Sequence, residues 1–254
     1  MQIVVAIKQV PARDSAVHIA PHGKWIDEQD LSWEINEPDA YALEAALLLK
    51  EKHGGEVVVL CAGPGRVQSS IRDALAKGAD RAIHVECEGL EAMDTLAVAR
   101  LLAAAIAGEK PDLILAGLQS DDLGMGQTGV VLAELLGIPH ASIVMELEVD
   151  GQSLRVKREL EDGWFQWVRL PLPALVTIQS GISKLRYATL MGIKKAKTKT
   201  VQKVEPPIAT DHHSVAMHRV HLPERKKQTR LISGAPAEAA AQLVEILRSE
   251  VRAL

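Results

Sequence analysis

The chain has 254 residues, 47% of them hydrophobic and 24% charged, with a formal net charge of −4. That length builds one large α/β domain with a sizeable core, and the slight acidity removes the broad basic surface that a nucleic-acid binder needs, so no nucleic-acid partner is expected. Two cysteines, Cys61 and Cys87, lie outside any CxxC pair, which excludes a disulfide framework and a thiolate zinc site. No apolar run reaches the roughly 20 residues that cross a bilayer. The opening MQIVVAIKQV reads as a strand without a basic n-region or cleavage site. A cytoplasmic chain with no direct membrane insertion is the expectation. Aromatics make up only 3%, so aliphatic side chains must build the core.

Strand-like and helix-like segments alternate through the first two-thirds. Ile3 to Ile7 is a β-branched run of the kind buried in parallel sheets. Ala40, Leu43, Ala46 and Leu47 recur at helical spacing and predict a helix over 38–50. EVVVLCAG (56–63) predicts the next strand, and 65–77 a helix with Val67, Ile71 and Leu75 on one face, stopped by Gly78. A strand over 82–85 follows, then a helix capped by Asp94 and running to Ala107, a strand over 112–117, and a helix over 126–136 closed by Gly137. Strands separated by helices imply βαβ crossovers, hence a mostly parallel sheet with helices on both faces, of Rossmann-like nucleotide-binding type. Near Glu146 the rhythm changes: LEVDGQSLRVKREL alternates around Asp150-Gly151, the mark of a β-hairpin, and a strand over 175–179 follows Pro171 and Pro173. Beyond Leu185 the chain is basic and without core pattern until an Ala/Leu-rich helix from Pro236. The expected organisation is an α/β nucleotide-binding domain with the hairpin (1–183), an extended arm (184–235) and a C-terminal helix (236–254).

Ligands of open α/β sheets bind at the carboxyl ends of the strands. Four loops fall there: 8–13, the surroundings of Asn36, 61–65 and 118–129. The last, LQSDDLGMGQTG, ends a strand and opens a helix, and Gly124, Gly126 and Gly129 permit close backbone approach. The amides of Gln127, Thr128 and Gly129 at a helix N-terminus would cradle a phosphate. A glycine-rich turn before an ordinary capped helix explains the same residues, and the loop is neither a Walker A nor a GxGxxG motif. Asp121 and Asp122 fit helix capping or ribose hydrogen bonding better than acid–base chemistry, because no histidine or third acid accompanies them. Cys61, flanked by apolar residues, reads as core. His212, His213, His218 and His221 lie on the unpatterned arm and read as solvated surface rather than a metal site.

Two further clusters point to partners. Trp164, Phe165 and Trp167 gather three of the seven aromatics in four residues, which is a subunit-interface signal. Lys184, Arg186, Lys194, Lys195, Lys197, Lys199 and Lys203 surround an apolar tip of Tyr187, Leu190, Met191 and Ile193. Basic residues around an exposed leucine suit docking to an acid-rimmed partner.

These segments carry a resemblance. VKRELEDGWFQWVRLPLPALVT (156–177) followed by LRYATLMGIKKAKTK (185–199) resembles the β subunit of electron-transfer flavoproteins. AIKQVP at the start, the Asn36 region, CAGP (61–64), RDALAKGADRAIHV (72–85) and DDLGMGQTG (121–129) are similar to that family in the same order. Two places depart from it. PARDS puts Arg13 at or near a position where some members carry an aromatic against the flavin, and Leu123-Gly124-Met125 stands where common members carry a small or Cys residue and an Asn.

The resemblance implies an obligate αβ heterodimer that carries electrons from flavoprotein dehydrogenases, of acyl-CoA dehydrogenase type, to an acceptor such as a membrane quinone oxidoreductase. It implies FAD held mainly by the α subunit and structural AMP in this one. The nucleotide contacts map to Ala6, Asn36, Ala62, Leu118, Gln119, Ser120, Asp121, Asp122, Leu123, Gly124, Met125, Gly126, Gln127, Thr128 and Gly129. The partner-recognition loop maps to 186–199, with Leu190 as anchor and Tyr187, Met191, Ile193, Lys194, Lys195 and Lys197 around it. No catalytic residue and no metal are implied. In an electron-bifurcating branch a second FAD replaces AMP and accepts hydride from NADH; Thr128 resembles the AMP-binding members. A stand-alone adenine-nucleotide-binding regulator would explain the strand-end loops but not the 156–177 region or the arm.

Overall fold

The computed structural model describes residues 1–206, 214–223 and 229–253. In chain order, β1 (Gln2–Ala6) leads through the short strands β2 (Gln9–Pro11) and β3 (Trp33–Ile35) to α1 (Glu37–His53). Next come β4 (Glu56–Gly63), α2 (Gln68–Lys77), β5 (Arg81–Glu86), α3 (Thr95–Ile106), β6 (Leu113–Gly117) and α4 (Thr128–Leu136). The second half holds β7 (His140–Asp150), β8 (Ser153–Glu159), β9 (Phe165–Pro171), β10 (Ala174–Ile178), α5 (Leu190–Ala196), β11 (Val201–Val204) and α6 (Pro236–Ile246).

Nine strands form one sheet in the order β11-β5-β4-β1-β6-β10-β7-β8-β9. The pairs from β11 to β7 are parallel, and β7, β8 and β9 are antiparallel. The expected mostly parallel α/β sheet is what the chain builds. Its strands read as continuous apolar runs because both faces are covered. Ile3 and Val5 of β1, Val57 and Val59 of β4, and Leu113 and Leu115 of β6 enter the core that α1 and α2 cover. Val4, Val58, Leu60 and Ile114 point the other way, into the core beneath α3 and α4. The hairpin turns at Gly151 (φ +60°), with Asp150 paired to Ser153.

Local signals set the helix ends. Asp94 caps α3, its Oδ1 accepting from the Ala97 N–H at 2.9 Å. Gly78 and Gly137 end α2 and α4 with positive φ.

Three features depart from the reading of the sequence. Residues 185–206, expected as a patternless arm, contain α5 and β11, and β11 pairs with β5 at the sheet edge. Gln9–Pro11 and Trp33–Ile35, expected as loop, pair as a two-stranded antiparallel ribbon. Helix α4 starts at Thr128, two residues later than expected, because Gly124 and Gly126 hold left-handed φ of +61° and +64°.

The chain divides into two compact units, 1–220 and 221–254. In the second, α6 continues through one π-helical turn (Leu247–Val251), and Arg230 pairs with Glu250 at 3.0 Å. No described helix is long and apolar enough to cross a membrane.

Candidate functional site

The strand order reverses between β1 and β6: the chain runs outward from β1 to β4 and β5, then crosses back to β6 on the other side of β1. A crevice opens outside the strand ends at such a point. A cavity of about 830 Å³ lies there, lined by the ends of β1, β4 and β6 and the loops that follow them.

Of the expected nucleotide contacts, Ala6, Asn36, Ala62, Leu118, Gln119, Ser120, Asp122, Leu123, Met125, Gly126, Gln127 and Thr128 line the cavity. Asp121, Gly124 and Gly129 do not. The Asp121 N–H donates to Asn36 Oδ1 at 2.9 Å, and its carboxylate sits 3.7 Å from Arg13. Gly124 closes the turn by donating from its N–H to the Ser120 carbonyl at 2.9 Å. Gly129 packs α4 on the sheet, since a Cβ there would meet Thr177 Cγ2 at 2.5 Å. Its missing side chain serves helix–sheet contact and does not face the cavity.

Helix α4 presents its N-terminus to this space. Gln127 occupies the cap position without a side-chain hydrogen bond to the first turn, and Gln127 and Thr128 are on the lining. The first N–H groups of a helix have no partner within it, so an uncapped end facing a cavity has the chemistry to accept an anion.

Electrostatics around the loop are paired. Lys8 Nζ lies 2.7 Å from Asp122. Burial pushes the Asp122 carboxyl up, but the Lys8 charge and the hydrogen bonds from Lys8, Ser120 and the Leu123 N–H outweigh it and hold the group below its ordinary value. Asp122 is thereby an ionised partner of Lys8. No cluster of three potential metal ligands exists among the described residues. His212 and His213 lie outside the described residues.

Cys61 is wholly buried, and burial pushes its thiol up to about 12. It is core, as expected. Arg13 pairs with Glu37 and reaches toward Asp121.

Several lining residues escape a motif search. Asp39, in the first turn of α1, accepts from the Lys8 N–H and the Gly117 N–H, each at 2.7 Å. Trp25, Glu28, Trp33 and Arg66 form another wall: Arg66 pairs with Glu28 at 2.8 Å and stacks on Trp33, 3.7 Å from the ring centroid. Ser214 to Met217 close part of the cavity, and Asp94 Oδ2 accepts from the Ser214 and Val215 N–H groups. Only Asp94, read as a helix cap, carried a sequence signal.

The expected docking residues gather on and beside α5. Tyr187 and Leu190 are 92% and 87% exposed, and Met191, Ile193, Lys194, Lys195 and Lys197 are exposed beside them. Thr189 caps this helix by accepting from the Gly192 N–H at 3.0 Å. Other members of the basic run turn inward. Arg186 pairs with Glu44 and Glu51, and Lys199 donates to the carbonyls of Leu75 and Ala79. Arg72 donates to the carbonyls of Ala196 and Lys199, so α5 is tied to α2 rather than carried on a free arm.

Trp164, Phe165 and Trp167 are all exposed on the β9 edge of the sheet. Arg155 covers the Trp167 ring at 4.0 Å and Lys157 the Phe165 ring at 4.6 Å.

A family model described as the electron transfer flavoprotein domain matches residues 24–209. The electron transfer flavoprotein subunit beta of Methylophilus methylotrophus is 38% identical over 97% of this chain and 98% of its own. That of Bacillus subtilis is 35% identical over 90% of this chain and 91% of its own. That of Homo sapiens is 37% identical over 81% of this chain and 82% of its own. Matched over almost its whole length, the chain belongs to the electron-transfer flavoprotein β-subunit family, whose members are electron-carrier subunits and not enzymes.

Proposed function

We propose that this chain pairs with an electron-transfer flavoprotein α subunit, holds AMP as a structural ligand, and docks flavoprotein dehydrogenases of acyl-CoA dehydrogenase type. The observation that carries the nucleotide reading is the uncapped N-terminus of α4 opening into the cavity at the switch point. The phosphate would sit on the Gln127–Thr128 end of α4, with Lys8, paired to Asp122, as a cation on the same cavity lining. Ala6 and Ala62, small residues at the ends of β1 and β4, leave room for a flat base over the sheet edge. FAD held mainly by the α subunit supplies the one-electron chemistry, and this chain supplies scaffold and docking surface. Electrons would leave to an acceptor such as a membrane quinone oxidoreductase, without insertion of this chain into the bilayer and from a cytoplasmic location.

Residues 184–235 serve as the recognition segment in this reading, with Leu190 entering an apolar pocket of the dehydrogenase. Lys194, Lys195 and Lys197 steer an acidic rim toward it, which speeds encounter and keeps residence short. The exposed ring cluster at 164–167 and the helix of 236–254 face the α subunit. The cavity's extent supports a second reading, in which FAD replaces AMP and accepts hydride from NADH: the lining runs beyond α4 to Trp25 and Trp33.

The test is the nucleotide content of the co-expressed heterodimer after denaturation. One FAD and one AMP per dimer is the expected result. Two FAD without AMP establishes the second reading, and a chain that is stable alone and binds nucleotide without an α subunit points to a free-standing adenine-nucleotide regulator. A dimer that releases no nucleotide beyond the FAD of the α subunit overturns the β-site assignment.

A further inference from the structure

We infer that Asp39 is the positioning residue of the nucleotide site: its carboxylate ties the ends of β1 and β6 across the switch point, and the site is fully assembled only while that carboxylate is ionised. The inference rests on the nucleotide reading above and adds the device that holds the site together.

Strands β1 and β6 are paired up to Ala6 and Ala116, and their continuations separate into the two loops that line the cavity. The first turn of α1 fills the gap. Asp39 Oδ2 accepts from the Lys8 N–H and Oδ1 from the Gly117 N–H, both at 2.7 Å. Asn36, one turn earlier, completes the staple: its backbone N–H donates to the Lys8 carbonyl, its Nδ2 donates to the Gln119 carbonyl, and its Oδ1 accepts from the Asp121 N–H, each at 2.9 Å. Gly117 allows the approach, since a Cβ there would fall 2.5 Å from Asp39 Oδ1. Asp39 is not the helix cap, a position held by Asn36. Its bonds join residues 31 and 78 positions away, which makes it a tertiary clamp.

The clamp needs both oxygens as acceptors. A proton on either one leaves a hydroxyl oxygen that accepts more weakly and removes the charge from both bonds, so the clamp is loosened. The groups facing Asp39 are the Lys8 ammonium, the Asn36 amide, the Lys8 and Gly117 N–H groups and, from β4, the Cys61 thiol, which stays neutral. Burial raises the carboxyl to about 7, against the lowering effect of the two backbone N–H bonds, Asn36 and Lys8. Protonation therefore competes with the clamp near neutrality.

Stability and affinity then run in opposite directions. A folded pKa above the unfolded value of about 3.9 makes this group favour the folded chain at low pH, and that contribution is lost as pH rises through about 7. Loss of ligand affinity on acidification from pH 8 to 6 thus cannot be ascribed to unfolding driven by this group.

The test is calorimetric titration of the co-expressed heterodimer, freed of its β-site nucleotide, with AMP and with adenosine between pH 6 and 8, for the unaltered chain and for Asp39→Asn. Adenosine has no phosphate to titrate, so its pH profile reports the protein alone. The unaltered chain should lose about tenfold in adenosine affinity on acidification, the worth of one hydrogen bond to a charged group. Asp39→Asn, with one acceptor oxygen, should bind about tenfold more weakly at pH 8 and show a flat adenosine profile. Equal pH slopes in the two chains overturn the inference. Should the variant not fold, a pH-independent adenosine affinity of the unaltered chain overturns it as well. No AMP binding by the unaltered heterodimer at any pH removes the nucleotide reading itself, and the inference with it.

Discussion

Arg186 clasps the buried carboxylate of Glu44 through Nε and Nη2, at 2.8 Å each, and reaches Glu51 with Nη1 at 2.6 Å. The pair fastens the entry to α5 onto α1, four residues before the exposed Leu190. The basic run thus contains two kinds of residue, those that hold α5 in place and those exposed on it.

The two kinds separate by mutation. Leu190→Ala should leave folding and heterodimer assembly intact and slow electron transfer from a dehydrogenase partner by at least tenfold. Arg186→Ala leaves Glu44 buried without its cation and should cost about 2–3 kcal/mol of stability, with docking lost as a consequence. Stopped-flow reduction of the heterodimer and thermal melts read the two effects. Leu190→Ala with unchanged transfer kinetics would remove α5 from the docking surface.

How much of this was legible follows from where each signal resides. Strands β1, β4 and β6 announce themselves because burial on both faces demands continuous apolar residues, and the hairpin because Asp150-Gly151 separates two alternating runs. Helix α5 is only seven residues long and runs into Lys194 and Lys195, and β11 carries Gln202 and Lys203 as an edge strand does, so neither stands out from a basic loop. The 118–128 loop shows itself through its glycines. Asp39 does not: its partners are backbone N–H groups far off in the chain, and no spacing encodes them. The role of Gly129 was hidden for the same reason, since only the tertiary contact with Thr177 shows that it packs the helix rather than opening the cavity.

Acid stability should depend on the amino end of the sheet. Arg81 hydrogen-bonds Glu109 at 2.5 Å and Glu56 at 3.0 Å, and the Arg81 hydrogen bond holds the Glu109 carboxyl below its ordinary value. A folded pKa below the unfolded one, about 4.3, gives stability that is present above that value and lost as pH falls through the folded pKa. Glu109→Gln should therefore lower stability at pH 7 by about 1 kcal/mol or less, because the pair borders solvent, and shrink the fall in Tm between pH 5 and 3. An acid limb identical to that of the unaltered chain would sink this assignment.

Cys61 should be inert in the folded chain. It lies at full burial on β4, with its thiol pushed up to about 12 by desolvation. The thiolate is the reactive form, so alkylation by iodoacetamide at pH 8 should proceed only on unfolding, with a rate that tracks denaturant. Rapid native-state labelling at Cys61 would mean that β4 opens on its own.

Gly129 gives the sharpest test of how α4 is seated. A Cβ at this position would lie 2.5 Å from Thr177 Cγ2 and 3.4 Å from Leu175 Cδ2, with Thr177 itself buried and its Oγ1 accepting from the Ile143 N–H at 3.3 Å. Gly129→Ala should push α4 off the sheet at a cost of about 1–3 kcal/mol, and because the same turn carries the proposed anion site, retained nucleotide should fall with it. Thr177→Ser removes Cγ2 and keeps the hydroxyl. The double variant should recover at least half of the lost stability and of the bound nucleotide, a coupling that two independent defects would not show. Thermal melts and nucleotide release on the four chains of the cycle measure it, and strict additivity would mean that the contact between Gly129 and Thr177 does not set the position of α4.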